Sequence, residues 1–326
     1  MHAGLPVHVR PLATKGLSMT TQALYNRPAK YIPRVAAVHD MCGYGKCSLT
    51  AAIPILSAAG CDVCPIPTSL FSSHTLFPHF EMLDTTDFLD RYLDSWKQIG
   101  VELDAVYSGF LGSAEQVDLI QRIDREYPQA LRFVDPVMGD GGSMYPTYTQ
   151  EMCEATKKLV DGADVLMPNL TEASLLTGMA YEGQDVSDDY VAEIIDRLLQ
   201  MGAKAVIVKG IDHNDGFLRN FVATAGDGAR VTGASGASGT PSHPTHPEIH
   251  ELKHAKLAHM IHGTGDAFAS AVCAAIMAGK SLTEAASLAG EFVRDAMIST
   301  LDQPDFARRG VNFELVLDRM TALIPR

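Results

Sequence analysis

Basic residues are scarce in this chain. Its 326 residues carry 26 Lys and Arg against 39 Asp and Glu, a formal net charge of −13 with a sequence pI near 5.3. No basic stripe interrupts that balance, which argues against the positive face that nucleic-acid binding requires. A small anionic ligand stays open, because backbone amides, metal ions and single lysines override the global sign locally. Long apolar runs are also missing: none reaches the roughly 18 residues of a membrane span. Cysteine is sparse, six in all, the usage expected in a reducing cytoplasm. The one C-x-x-C, Cys61 and Cys64 in GCDVCPIPTS, lacks the helix-start or second-pair context of a redox or metal motif. It reads as two small apolar residues in a buried strand. Acids are absent from residues 1–33, which hold Arg10, Lys15, Arg27 and Lys30. That stretch is too poor in Arg and too aperiodic for a transit peptide. A flexible extension, or a start upstream of the true one at Met19, is expected there, followed by a single domain over 34–326.

A phosphate-binding P-loop is missing where it would be sought. DMCGYGKCSLT, residues 40–50, lies between an apolar run and a helical one. With Gly45-Lys46 as the Gly-Lys pair, Asp40 stands where the first Gly belongs and Cys47 where the hydroxyl belongs. The loop is placed to face a site, but not as a nucleotide cradle.

What is present is alternation. Apolar strand candidates fall at 35–39, 63–67, 104–109, 131–135, 163–167, 205–209 and 219–224. Helical runs lie at 48–59, 86–99, 114–126, 150–160, 171–176, 187–201, 265–278 and 282–300, with a last one near 313–323. This order predicts an α/β fold, a mostly parallel sheet covered by helices on both faces. Ligands then bind beyond the carboxyl ends of the strands. Residues 226–250 break the rhythm with Gly, Ala, Ser, Thr and Pro, and predict a mobile surface loop. His243, His246, His250, His254, His259 and His262 follow closely, but no Cys or acid cluster completes a metal site.

Four segments carry chemistry. In HMIHGTGDAFAS, Gly263, Thr264 and Gly265 precede Asp266 at a helix start. Free amides there form an anion site, and Asp266 is a proton acceptor beside it. The plainer reading makes Asp266 an N-cap. In FVDPVMGD, Asp135 ends a strand, where it can reach phosphate-bound Mg²⁺ or simply make a turn. In PNLTE, Asn169 and Glu172 open a helix. They can cap it or hold metal-bound waters. Lys209 ends the apolar VIVK run, where an unpaired ammonium would be costly, so it should meet an anion or the surface.

Together with SGFLGSAEQ (108–116), these segments appear in an order that resembles the ribokinase-like kinases, and within them the pyridoxal (vitamin B6) kinases, over about 34–300. The resemblance implies a ribokinase-like three-layer α/β/α sandwich. It implies Mg²⁺- and ATP-dependent phosphorylation of a hydroxymethyl group on a pyridine ring, a homodimer and often a monovalent cation such as K⁺. By position, Asp266 is then the catalytic base, and the Gly263, Thr264 and Gly265 segment stabilises the transferring phosphoryl group. Asp135, Asn169, Glu172 and Lys209 fall on the ATP side, with Asp135 and Glu172 nearest the metal. Asp40 and Tyr44 in the 40–50 loop, and Thr75 in SSHT, fall on the vitamer side, and the 226–250 loop becomes a lid over the nucleotide. Asp40 replaces the Ser common in that family, which makes pyridoxamine a candidate substrate. A hydroxymethylpyrimidine kinase or a non-catalytic vitamer-binding protein are the competing readings.

Overall fold

The computed structural model describes residues 20–225, 247–259, 261–303 and 306–324. Nine strands form one sheet. They are β1 (Arg34–Cys42), β2 (Asp62–Phe71), β3 (Met82–Asp84), β4 (Ala105–Ser108), β5 (Leu131–Val134), β8 (Val165–Leu166), β9 (Ala205–Asp212), β10 (Phe217–Thr224) and β11 (Ile249–Ala255). Two short strands, β6 (Gly139–Asp140) and β7 (Ser143–Met144), make a separate hairpin. The sheet order is β11-β10-β9-β8-β5-β4-β1-β2-β3. From β9 to β2 all neighbours are parallel, and antiparallel strands close both edges.

Period-two alternation splits the sheet residues between two cores. Ala36, Val38, Val106, Val134 and Val206 pack against α2 (Thr86–Ile99), α3 (Glu115–Glu126), α4 (Gln150–Thr156), α5 (Leu170–Thr177) and α6 (Asp188–Gln200). Val35, Ala105, Tyr107, Phe133 and Ile207 pack against α1 (Leu49–Ala58), α7 (Thr264–Met277) and α8 (Leu282–Leu301). The α7 residues from Ala267 to Met277 are all buried. Small side chains suit a helix enclosed on every side.

Three departures from expectation have local causes. Residues 20–33 are not a loose tail. Arg27 donates to the carbonyls of Tyr31, Ala59 and Gly60, each at 2.9 Å, and Tyr25 and Tyr31 hydroxyls donate to Asp104. Thr20 is fully buried, and its carbonyl accepts from Thr283. Residues 1–19 lie outside the described residues. Secondly, of the loop expected over 226–250, residues 226–246 lie outside the described residues, while 249–250 open β11. His250 and His254 therefore belong to a strand. Its sequence IHELKHA carries no apolar run, because β11 is an edge strand whose inward residues are His250, Leu252 and His254. Thirdly, the terminal helix near 313–323 is two short turns, Glu314–Val316 and Asp318–Thr321.

Candidate active site

The carboxyl edge of the parallel strands gathers the chemistry. Asp40 lies near the end of β1, Asp135 just after β5, Asn169 after β8, and Lys209 in the outer half of β9. Asp266 sits on the first turn of α7, which points its amino end at this edge. The N-cap of α7 is Gly263, not Asp266, and no side chain caps the helix. The first amides thus remain directed at the site. Gly263 has φ of 77°, a conformation costly for other residues. A Cβ there would lie 2.0 Å from the Lys46 carbonyl oxygen, so this glycine lets the 40–48 loop lie against the helix start.

Asp266 retains partial access to solvent. Burial and then the charge of Asp135 push its carboxyl up to about 7; the Ser48 backbone N–H and the Lys209 ammonium pull it down only in part. A carboxylate with that value is poised to take a proton near neutral pH.

Lys209 Nζ donates to Asp135 Oδ1 at 2.5 Å. Asp135 is 2% exposed, so the ammonium on this apolar strand is paired with a buried anion. Burial works against the charge on Lys209, but Asp135 and Glu172 outweigh it and raise its pKa. A Cβ at Gly265 would lie 3.9 Å from Lys209 Nζ, which places the ammonium beside the first turn of α7. Glu172 is engaged in a capping box with Asn169. Its Oε2 accepts from Asn169 N at 2.7 Å and its Oε1 from Met138 N at 3.3 Å, while Asn169 Nδ2 donates to the Gly139 carbonyl at 2.8 Å. The capping reading of PNLTE therefore holds, and the same bonds fix the β6–β7 hairpin beside the site. Burial pushes Glu172 up to about 8, with Asp135 adding to it and Lys209 opposing. Burial likewise raises Asp135 against the pull of Lys209. Among the described residues, Lys209 is the one cation acting on all three carboxylates. That excess of negative charge suits a divalent cation.

The 40–48 loop meets this centre from the other side. Asp40 is 4% exposed, and burial raises its pKa against hydrogen bonds from Ser48 and Cys42. Ser48, which no motif marked, interacts through its side chain with Asp40 and through its backbone with Asp266. It does so at φ 50° and ψ −128°, a backbone strained for a residue with a side chain. The Lys46 Nζ bonds Asn312 and Glu314. Tyr44 is 47% exposed; its ring contacts Phe77 at 5.3 Å, and its carbonyl accepts from His74 N at 3.1 Å. Exposed Thr75 follows His74 in the same turn. Asp40 is thus a residue of β1 rather than of the loop expected over 40–50, Tyr44 lies on the loop that follows the strand, and Thr75 lies on the turn packed against that loop. His262 is exposed, its ring 5.3 Å from that of His74.

The family model described as phosphomethylpyrimidine kinase matches residues 49–307. The chain belongs to this family. A Bordetella avium pyridoxine/pyridoxal/pyridoxamine kinase is 30% identical over 290 residues, covering 82% of this chain and 85% of its own. A pyridoxal kinase of Aliivibrio fischeri is 30% identical over 54% of this chain, and the match spans 62% of the relative's length. A solved structure from Bacteroides thetaiotaomicron, described as a candidate phosphomethylpyrimidine kinase and holding pyridoxal, superposes with a TM-score of 0.79 at 31% identity, over 89% of this chain and 96% of that one. The ribokinase-like α/β/α architecture expected from the motifs is the one observed. Among the described residues, no helix is long and apolar enough to cross a membrane.

Proposed function

We propose that this member of the phosphomethylpyrimidine kinase family transfers the γ-phosphoryl group of ATP to the hydroxymethyl group of a B6 vitamer. The carrying observation is Asp266, a carboxyl held near 7 on the first turn of an uncapped helix. Asp266 accepts the hydroxymethyl proton as the oxygen attacks phosphorus. The amides of the Gly263–Gly265 turn and the Lys209 ammonium take up charge on the phosphates. Asp135 and Glu172 would hold Mg²⁺, which supplies further neutralisation when bound. Both Glu172 oxygens already accept backbone N–H bonds, so its part falls to metal-bound waters through the remaining lone pairs.

Asp40, Tyr44 and Thr75 receive the pyridine ring. A buried carboxylate at position 40 favours a ring N–H⁺ or an ammonium, so pyridoxamine should be preferred over pyridoxal, and Asp40→Ser should narrow that preference about tenfold. The six free thiols fit a reducing cytoplasm. Exposed Leu70, Met82 and Leu83 on β2 and the β3 edge support a homodimer. The test is ADP release with pyridoxal, pyridoxamine, pyridoxine, hydroxymethylpyrimidine and ribose in parallel, for the parent and Asp266→Asn. A B6 vitamer should be fastest, and the variant should lose roughly 10²–10⁴ in turnover. A faster rate on hydroxymethylpyrimidine, or a variant within a few-fold of the parent, would overturn the reading.

A further inference from the structure

Three side chains beside the proposed ring pocket have a chemistry that phosphoryl transfer does not use. Cys42 is the last residue of β1, and Cys47 lies just before Ser48, the N-cap of α1. Their sulfurs are 3.1 Å apart, and Cys42 Sγ donates to Asp40 Oδ2 at 3.5 Å. One ligand atom from each of the three lies within 4.8 Å of the others. Asp40 and Cys42 are both buried while Met41 between them is exposed, so β1 turns the first two to the same side.

That set matches a soft ion. Zinc bonds thiolate at about 2.3 Å and carboxylate oxygen at about 2.0–2.2 Å, so a tetrahedral site needs sulfurs roughly 3.7 Å apart and S···O near 3.6 Å. The Cys42 S···O spacing is already 3.5 Å, the Cys47 sulfur lies within 4.8 Å of the Asp40 carboxylate, and the sulfurs need to open from 3.1 Å. The surroundings are negative: Asp40 and Asp266 both act on Cys47. Such a field disfavours a bare thiolate and attracts a cation. Mg²⁺ prefers oxygen ligands, so the ion used with ATP does not compete here.

We propose that Asp40, Cys42 and Cys47 form a binding site for one thiophilic divalent cation of the zinc class, and that its occupancy excludes the pyridine substrate. On binding, the metal replaces two thiol protons, which pass to solvent. Two thiolates and the Asp40 carboxylate then hold it, with a fourth position left for water. The exclusion rests on the reading of Asp40 as a ring contact; the site itself does not.

Cadmium, a spectroscopic stand-in for zinc, tests this on the full chain under a non-thiol reductant and without ATP. One ultraviolet thiolate-to-metal band should saturate at one ion per chain, with about two protons released. Cys42→Ser and Cys47→Ser should each weaken the ion by at least the roughly 10–100-fold that even outer partners of a ligand cost. The Cys61→Ser/Cys64→Ser double variant should bind like the parent. Because a core serine can disturb folding, the unmodified protein gives a second readout: zinc should shield Cys47 from alkylation while Cys64 reacts at its usual rate. Saturating pyridoxamine should weaken cadmium binding at least tenfold. No saturable band, a band that survives both single variants, or an unshielded Cys47 would overturn the site. Binding that pyridoxamine leaves unchanged would overturn the exclusion, whatever the ADP assay shows.

Discussion

Asp135→Asn tests whether the proposed base is tuned by its neighbour. Asp266 is held near 7 first by burial and next by Asp135, with Lys209 pulling it down. The variant removes the repelling charge and leaves the Lys209 ammonium a neutral amide in place of its 2.5 Å anionic partner, so more of its field reaches Asp266. One buried unit charge in a shared site acts through about 1–2 kcal/mol at an effective dielectric near 20, or about one pKa unit. A base works deprotonated, so kcat/KM should rise with pH through its pKa. With a limb near 7, the parent at pH 6 keeps about a tenth of its pH 8 value; a limb moved to about 6 raises that fraction to about a half. The assay is kcat/KM for pyridoxamine across pH 5–9 at saturating Mg-ATP. Absolute rates should fall, because Asp135 is also the proposed metal-side carboxylate, but the readout is the position of the limb. An unmoved limb, or one displaced to higher pH, would refute the electrostatic account of Asp266.

Other substitutions follow from the same geometry. Because the Asp266 pKa is raised by folding, its stabilising share is present below about pH 4 and is lost as pH rises through about 7; Asp266→Asn should be more stable than the parent at pH 8, by up to about 4 kcal/mol, and equally stable at pH 4 in denaturant titrations. Gly263→Ala should cost at least about 1–2 kcal/mol for a left-handed alanine, and more for moving the Lys46 carbonyl 2.0 Å from the new Cβ; thermal melts and vitamer KM should both worsen. Arg27→Ala should remove about 1.5–3 kcal/mol and speed amide exchange over residues 20–33, whose anchor bonds to Ala59 and Gly60 it deletes.

The layered fold was legible because each central strand is buried on both faces and reads as an apolar run, as in AVIVK, while α2, α3 and α6 alternate polar and apolar residues at helical spacing. The GTGD segment was legible because a run of residues of little bulk before a helix start leaves its first amides accessible. Edge elements were not. The three residues of β3, the β6–β7 hairpin and the polar β11 owe their form to neighbours rather than to their own pattern. Arg27 likewise looked like part of a loose basic tail until Ala59 and Gly60 offered it carbonyls.

By itself, then, the sequence determined the alternation that forces a parallel α/β sheet and the residue types gathered at its carboxyl edge. Only the tertiary structure decided their pairing and charge. Whether Lys209 met Asp135 or solvent, whether Asp266 capped its helix or was held near 7, and whether Glu172 was a bare ligand or a capping-box member all depend on distance and burial. So does the meeting of Cys42 with Cys47, two ordinary residues at an unremarked spacing until a β-strand and a helix start bring their sulfurs to 3.1 Å. Residue type sets which interactions are available, and electrostatic strength falls with distance and rises with desolvation, which no linear pattern records.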